Sequence, residues 1–221
     1  MKVLYVTDLD GTLLNTRDRI SPYSIRVINH LVEQGMIFTY ATARSLVSAS
    51  VVTQGLSTQI PVITYNGALI IHPSTGEVIS SIHFTAEEQK KVRLLLQKKQ
   101  IYPLVYSYIE GREQVSWYQD QENEGIKRYL SLRKGDRRLR PLHKNHDEAG
   151  AALYAGDIFY YTCIGTKEQV QPVYEALRDH PAYTCTLQQE LYRPEYWCKN
   201  RSSTYFCVFC QVGFVKRPFD D

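Results

Sequence analysis

Two carboxylates lie two residues apart, directly after an apolar segment near the start of the chain. Residues 2–7 are rich in β-branched and aromatic side chains, and Asp8 and Asp10 follow them, just ahead of Gly11. One carboxylate can attack phosphorus while the other protonates the leaving oxygen and later activates water. Together they can also hold a hard divalent cation. An Asx-type turn that only ends a strand is the alternative interpretation.

A parallel α/β sheet is the arrangement that would position such groups. Short links join apolar segments of strand length to segments of helical periodicity: strands at 2–7, 36–41 and 61–65, and helices at 22–35 and 45–54. Ser21 and Pro22 are typical of a helix start, and Gly35 and Gly55 are typical of helix ends. This order predicts a parallel, doubly wound sheet. Ligands of such sheets bind at the carboxyl ends of the strands.

The ends of the second and third strands carry two more motifs. The second strand runs into ATAR at residues 41–44, and the third runs into NGA at residues 66–68. Together with DLDGTL at residues 8–13, they resemble the motifs of the haloacid dehalogenase superfamily, in its Cof-type phosphatase branch. The second motif is usually Ala-Thr-Gly-Arg, so Ala43 replaces a glycine. The resemblance implies a Rossmann-like parallel-sheet core with an inserted α/β cap domain.

The resemblance also implies a role for each motif residue. Asp8 is the expected nucleophile and Asp10 the general acid and base, and both are expected to bind Mg²⁺. Thr42, Arg44 and Asn66 are the expected phosphate-binding residues, and Thr42 would donate its hydroxyl and a backbone N–H to the phosphoryl group. Two alternatives stay open, because Thr42 also suits a helix N-cap and Asn66 also suits a simple turn.

Three segments are predicted along the chain. The pattern changes after the third strand, where Asn66-Gly67 is typical of a hairpin turn and Thr85 with Glu88 forms a capping box. We expect the first part of the core at 1–82, an inserted α/β cap domain at 83–190, and a return to the core with an atypical tail at 191–221.

The tail departs from the family pattern. Members present a lysine after the cap and then a Gly-Asp-Gly-x-Asn-Asp motif, whereas residues 199–221 match neither, and Lys199 and Lys216 lie in unrelated surroundings. We therefore expect a truncated or frameshifted chain that exposes an edge of its core sheet. The apolar run at 204–215 is expected to form one strand or a short buried helix against that edge.

The expected activity follows from the three motifs and from the tail that departs from the family pattern. It is magnesium-dependent hydrolysis of a small phosphorylated metabolite through an aspartyl-phosphate, impaired because each lost electrostatic contact can cost on the order of 10²-fold in rate. The alternative is a catalytically inactive fragment that acts as a binding or interaction module.

Composition limits the other classes of function. The 221 residues carry a net charge of +3 with a pI near 8.5, a balance too mild to favour nucleic acid. No apolar run approaches the roughly 20 residues that span a bilayer. We expect a cytoplasmic chain without membrane contacts, and its oligomeric state stays open.

Two groups of residues have roles that the sequence leaves open. The five cysteines lie in the last third, and an odd count argues against a secreted disulfide framework. Cys207 and Cys210 form a Cys-x-x-Cys, but no second pair supports zinc. Eight Lys and Arg residues lie within 127–144, partly in a predicted polar loop at 134–150. They either attract an anionic substrate or form a solvated face.

Overall fold

The computed structural model describes residues 2–147, 150–189 and 204–211. The chain divides into two units, the first containing the described residues up to Ile82 and the second His83–Gln211. No helix in the described part of the chain is long and apolar enough to cross a bilayer.

The first unit is a five-stranded sheet with two crossover helices. Its strands are ordered β1-β2-β3-β4-β5. In chain order the elements are β1 (Leu4–Asp8), α1 (Pro22–Glu33), β2 (Ile37–Ala41), α2 (Leu46–Val52), β3 (Val62–Thr64), β4 (Leu69–Ile71) and β5 (Val78–Ser81). Strands β1, β2 and β3 are parallel, whereas β3–β4 and β4–β5 are antiparallel. The predicted parallel α/β sheet is thereby confirmed, as is the hairpin after the third strand.

Helix α1 begins and ends where its sequence signals place it, whereas α2 ends at Val52, three residues before Gly55. The Ser21 hydroxyl accepts the N–H of Ser24 at the start of α1, and Gly35 after its end has a φ of +96°. One cluster buries Val32 from α1 and Ala49 from α2 against sheet residues such as Tyr40. The two helices therefore contribute to a single core.

Strand β1 lies at an edge of this sheet. Among the described residues β1 pairs only with β2, and Leu4, Tyr5 and Val6 are 54%, 52% and 49% exposed. Parallel strands are normally buried on both faces, so a continuous apolar run is unusual at an edge. The exposed core edge expected from the sequence is present in the described residues.

The second unit is a six-stranded, mainly antiparallel sheet ordered β10-β11-β9-β6-β7-β8. Its elements are α3 (Ala86–Lys98), β6 (Leu104–Ile109), β7 (Arg112–Tyr118), α4 (Glu124–Ser131), β8 (Leu139–Leu142), β9 (Asp157–Gly165), α5 (Lys167–Leu177), β10 (Tyr183–Gln189) and β11 (Tyr205–Gln211). The predicted capping box of Thr85 and Glu88 begins α3. Residues of α3 and α5 pack on one face of the sheet, around Tyr161 and Phe209.

Strand β11 corrects the prediction for the tail. Residues 205–211 were expected to return to the core, but they pair antiparallel with β9 on one side and with β10 on the other. The physical reason is alternation: Cys207 and Phe209 are both fully buried beneath the helices of the second unit. With one face buried in this way, β11 completes the sheet of the second unit between β9 and β10. Residues 190–203 and 212–221, with Lys199 and Lys216, lie outside the described residues.

Strand β8 corrects the predicted loop at 134–150. Residues Leu139–Leu142 pair parallel with β7, as the edge strand of the second sheet among the described residues. Pro141 is the exposed position of this strand and the other three residues are partly buried, so the short segment has no apolar alternation that would reveal it.

Candidate active site

The first motif forms a turn at the end of β1. Asp8 is the last residue of the strand, and its carboxylate accepts the N–H of Leu9 at 2.8 Å. The chain then makes one wide helical turn over Leu9–Leu13, in which fully buried Leu9 anchors the backbone and Gly11 has a φ of +76°. A side chain would be strained at that φ, so glycine is required by conformation rather than by space.

Thr42 lies directly after β2 and is 3% exposed. Its N–H donates to the carbonyl of Ile63 at 2.9 Å, which extends the pairing of β2 with β3. This corrects the expectation that the Thr42 N–H is available to a phosphoryl group. Its hydroxyl accepts the N–H of Arg44 at 3.1 Å, and the hydroxyl hydrogen can still be donated. The N-cap of α2 is Ser45, so the interpretation of Thr42 as that cap is wrong.

Arg44 holds both oxygens of Asp10. Its Nε lies 2.9 Å from Oδ2 and its Nη2 lies 2.6 Å from Oδ1, and the same Nη2 donates to Asp18 at 3.1 Å. The side chains of Arg44 and Asp10 are only 20% and 27% exposed, so this charged fork is partly shielded from water. The hydrogen bond with Asp10 raises the pKa of Arg44 despite its burial. Asp18 was not foreseen, because no motif marks it.

A strained turn follows β3. Tyr65, Asn66 and Gly67 have φ values of +52°, +56° and +94°, although Tyr65 is bulky and buried. A bulky side chain in this region is uncommon and costs on the order of 1–3 kcal/mol, so the surroundings must hold it there. The N–H of Asn66 donates to the carbonyl of Thr42 at 3.0 Å, and that of Tyr65 donates to the carbonyl of Arg44 at 3.2 Å. Asn66 therefore makes the turn, and a contact with substrate stays a prediction.

The motif residues lie close together at one edge of the first sheet. Asp8 is the register partner of Ala41, next to Thr42. Hydrogen bonds then join Asn66 to Thr42, Thr42 to Arg44, and Arg44 to Asp10. Hydrogen bonds thus join Asp10, Arg44, Thr42 and Asn66 in one set, and Asp8 lies beside this set because it pairs with Ala41. This arrangement can present a nucleophilic oxygen beside donors for an anion.

The fit of a divalent cation depends on the two aspartates. No group of three or more His, Cys, Asp or Glu side chains within residues 2–147, 150–189 and 204–211 could hold a metal ion by itself. The Asp8 carboxylate accepts the N–H of Leu9, and both oxygens of Asp10 are bound by Arg44. Mg²⁺ needs only one or two carboxylates when water and substrate phosphate complete its shell. The residues fit such a partial site.

The basic segment of the second unit is used largely for internal contacts. Arg138 forms ion pairs of 2.6 Å with both Glu113 and Asp136, and its side chain is only 14% exposed. Arg140 donates to the carbonyl of Ala152 at 2.8 Å. These two arginines fasten β8 and the following loop, so they belong to neither of the two roles considered for the segment.

Comparison with known proteins identifies the family. The model of the haloacid dehalogenase-like hydrolases matches residues 5–191. This chain belongs to that family. A structure from Thermotoga maritima superposes with a TM-score of 0.63 at 23% identity, covering 96% of this chain and 71% of that one, which shows the shared fold.

Two curated phosphatases are similar to the chain in sequence. It is 34% identical over 100 residues to the 5-amino-6-(5-phospho-D-ribitylamino)uracil phosphatase YwtE of Bacillus subtilis, over 45% of this chain and 34% of that enzyme. It is 32% identical over 85 residues to the HMP-PP phosphatase of Serratia proteamaculans, over 38% of this chain and 31% of that enzyme. The matches thus span about a third of each curated relative.

Proposed function

We propose that the chain is a magnesium-dependent phosphomonoester hydrolase that acts on a small phosphorylated metabolite through an aspartyl-phosphate on Asp8. The observation that carries this proposal is the position of Asp8 at the end of β1, in register with the residue before Thr42. Names of the two relatives support the substrate class, since both are phosphatases of small phosphorylated compounds.

The proposed chemistry has two steps. An Asp8 oxygen attacks phosphorus, the bond from phosphorus to the leaving oxygen breaks, and Asp10 gives that oxygen a proton. Water then loses a proton to Asp10 and attacks the same phosphorus, which releases phosphate and restores Asp8. The Thr42 hydroxyl donates to a phosphoryl oxygen, where negative charge must be stabilised.

Arg44 has two possible partners in this scheme. The guanidinium that now binds Asp10 and Asp18 was expected to bind phosphate, and it has five donors in a planar fork. Some of those donors remain for a phosphoryl oxygen while Asp10 stays oriented. Magnesium bound by Asp8 and Asp10 would neutralise phosphate charge.

Weak turnover is part of the proposal. The described residues supply two carboxylates and one arginine, and the lysine and second acidic motif expected from the family are not matched in the sequence. The second candidate function is an inactive module that binds a phosphorylated ligand. The fork between Arg44 and both oxygens of Asp10 favours this second candidate, because it occupies the proposed acid and base.

The experiment is hydrolysis of p-nitrophenyl phosphate by the purified chain with and without Mg²⁺. Turnover that needs Mg²⁺ and disappears in Asp8→Asn supports the proposal, provided that Asp179→Asn retains it. Asp179 is a matched control because its carboxylate is 82% exposed and lies in the second unit. Turnover retained in Asp8→Asn would refute the nucleophile. A wild-type chain that binds phosphate without turnover would establish the second candidate instead.

A further inference from the structure

Three cysteines come together on one face of the second sheet. Cys163 and Cys207 are direct register partners on β9 and β11. Cys185 on β10 lies opposite Phe209, two residues along from Cys207, and side chains two apart on a strand share a face. All three contact the core cluster beneath α3 and α5. Chain positions 163, 185 and 207 thus form a thiol cluster that the sequence spacing does not reveal.

The Cys-x-x-Cys pair is not the functional pair here. Cys207 and Cys210 are three residues apart on β11, so their side chains point to opposite faces of the sheet. Burial raises the pKa of Cys210 to about 12, which makes it a poor nucleophile. The cluster also does not qualify as a metal site among the described residues. Any chemistry of Cys207 must therefore involve the neighbouring strands.

The sulfur atoms of Cys185 and Cys207 are in contact. They are 3.7 Å apart, and a disulfide needs about 2.05 Å. The two residues lie diagonally across adjacent, hydrogen-bonded strands, with Phe209 and Leu187 as their direct partners. Cys185 is partly exposed whereas Cys207 is fully buried. A dissolved reagent therefore reaches Cys185 first.

We propose that Cys185 and Cys207 are a reversible modification site that a small-molecule disulfide converts to an intramolecular disulfide. In the first step the Cys185 thiol loses a proton, and its sulfur attacks the reagent and releases one thiol, which leaves a mixed disulfide on Cys185. In the second step Cys207 loses its proton and attacks the Cys185 sulfur, which releases the second thiol. The protein loses two protons and two electrons, and the reagent is reduced to two thiols.

The order of the two steps follows from the surroundings. The hydrogen bond with Cys185 and burial both raise the pKa of Cys207, so this thiol is inert towards reagents in solution. Burial likewise raises the pKa of Cys163, which is fully buried. Cys185 is therefore the one thiol of this cluster that a dissolved reagent can reach. Cys207 can still act as the second thiol although its pKa is raised like that of Cys210, since a mixed disulfide at Cys185 holds the electrophilic sulfur beside Cys207 and this proximity offsets the small thiolate fraction. Cys210 lies on the opposite face of the sheet and has no such neighbour in this cluster.

The test uses the full chain and oxidised glutathione. After incubation and quenching, free thiols are alkylated in denaturant and the chain is digested with chymotrypsin, which cuts after Phe209 and so separates Cys207 from Cys210. We expect the free thiols of Cys185 and Cys207 to be lost together, a cross-link between the peptides of these two residues, and its complete reversal by dithiothreitol.

Two matched variants sharpen the result. Cys210→Ser should form the cross-link to the same extent as the wild type, whereas Cys185→Ser should lose it and gain no other, with circular dichroism confirming that both variants fold. A cross-link that joins Cys207 to Cys163 or Cys210 would overturn the proposal. So would a mixed disulfide that stays on Cys185 of the folded wild type without closing, since the proposal requires Cys207 to displace it.

Discussion

Replacement of Phe209 by alanine tests whether residues 205–211 complete the second sheet. The Phe209 ring is fully buried, stacks on Tyr161 at 4.9 Å between ring centroids, and meets Phe84 edge-on at 6.3 Å. Loss of a fully buried phenylalanine costs about 3–5 kcal/mol, since the cavity adds to the lost transfer free energy. We therefore expect Phe209→Ala to lower the free energy of unfolding of the second unit by about that amount.

Phe206 on the same strand is the matched control. It is only partly buried on the opposite face, where its ring lies 5.8 Å from that of Tyr129. Phe206→Ala should therefore lower the free energy of unfolding of the second unit by only about 1 kcal/mol, because its ring is partly exposed.

Urea unfolding followed by tryptophan fluorescence measures both variants. Trp117 is buried in β7 of the second unit, and a Trp197→Phe background makes it the sole reporter. At a slope of about 2 kcal/mol per molar urea, Phe209→Ala should lower the midpoint by roughly 1.5–2.5 M and Phe206→Ala by roughly 0.5 M. Equal shifts for the two variants, or a shift under 0.5 M for Phe209→Ala, would refute the placement of β11 in this sheet.

Three further predictions concern single residues. Thr42→Val should lower kcat for p-nitrophenyl phosphate by about 10²-fold because it removes the hydroxyl donor, whereas Thr42→Ser keeps the hydroxyl and should retain most activity. Equal rates for the two variants would exclude the donor role. Arg44→Ala should lower the stability of the first unit by about 1–3 kcal/mol in thermal unfolding. Arg44→Lys should recover only part of that stability, because lysine cannot hold both oxygens of Asp10. Full recovery would show that the two-bond contact with Asp10 is dispensable. Asp147→Asn should destabilise the second unit at pH 7, and the difference should begin to shrink below about pH 4. Burial raises the pKa of Asp147, but hydrogen bonds from two backbone N–H groups and from Tyr118 lower it overall. Its contribution is therefore complete above the unfolded pKa and is lost as pH falls through the lower folded pKa; a difference that grows as pH falls below about 4 would contradict this.

The motifs predicted that Asp8, Thr42 and Asn66 lie at strand ends, because strand ends are local features, and the role of each residue stays a prediction. The apolar run before Asp8 and those before Thr42 and Asn66 have lengths that only strands satisfy, and parallel strands place their carboxyl ends together. The partners of the side chains could not be predicted in the same way. Arg44 lies 34 positions after Asp10, and nothing local distinguishes an arginine that binds phosphate from one that binds a carboxylate.

The sequence also could not predict which of the two sheets β11 joins. Alternation within TYFCVFCQ, residues 204–211, indicates a strand with one buried face, but it carries no information about which sheet has a free edge. Both the first sheet at β1 and the second sheet at β9 offered one. Hydrogen bonds satisfied on both sides by β9 and β10 decide in favour of the second sheet, since only there are both edges of β11 paired.

Insertion of β11 between β9 and β10 has a consequence for biosynthesis. Strand β10 pairs only with β11 among the described residues, although β11 begins 16 positions after β10 ends in the numbering of the chain. The first unit contains all of its described strands within residues 4–81 and can fold while the ribosome is still adding the second. The second sheet must wait for residue 211. A nascent chain stalled before that residue therefore carries β9 and β10 without the strand that pairs with both of them, and unpaired strand edges of this kind are prone to aggregate.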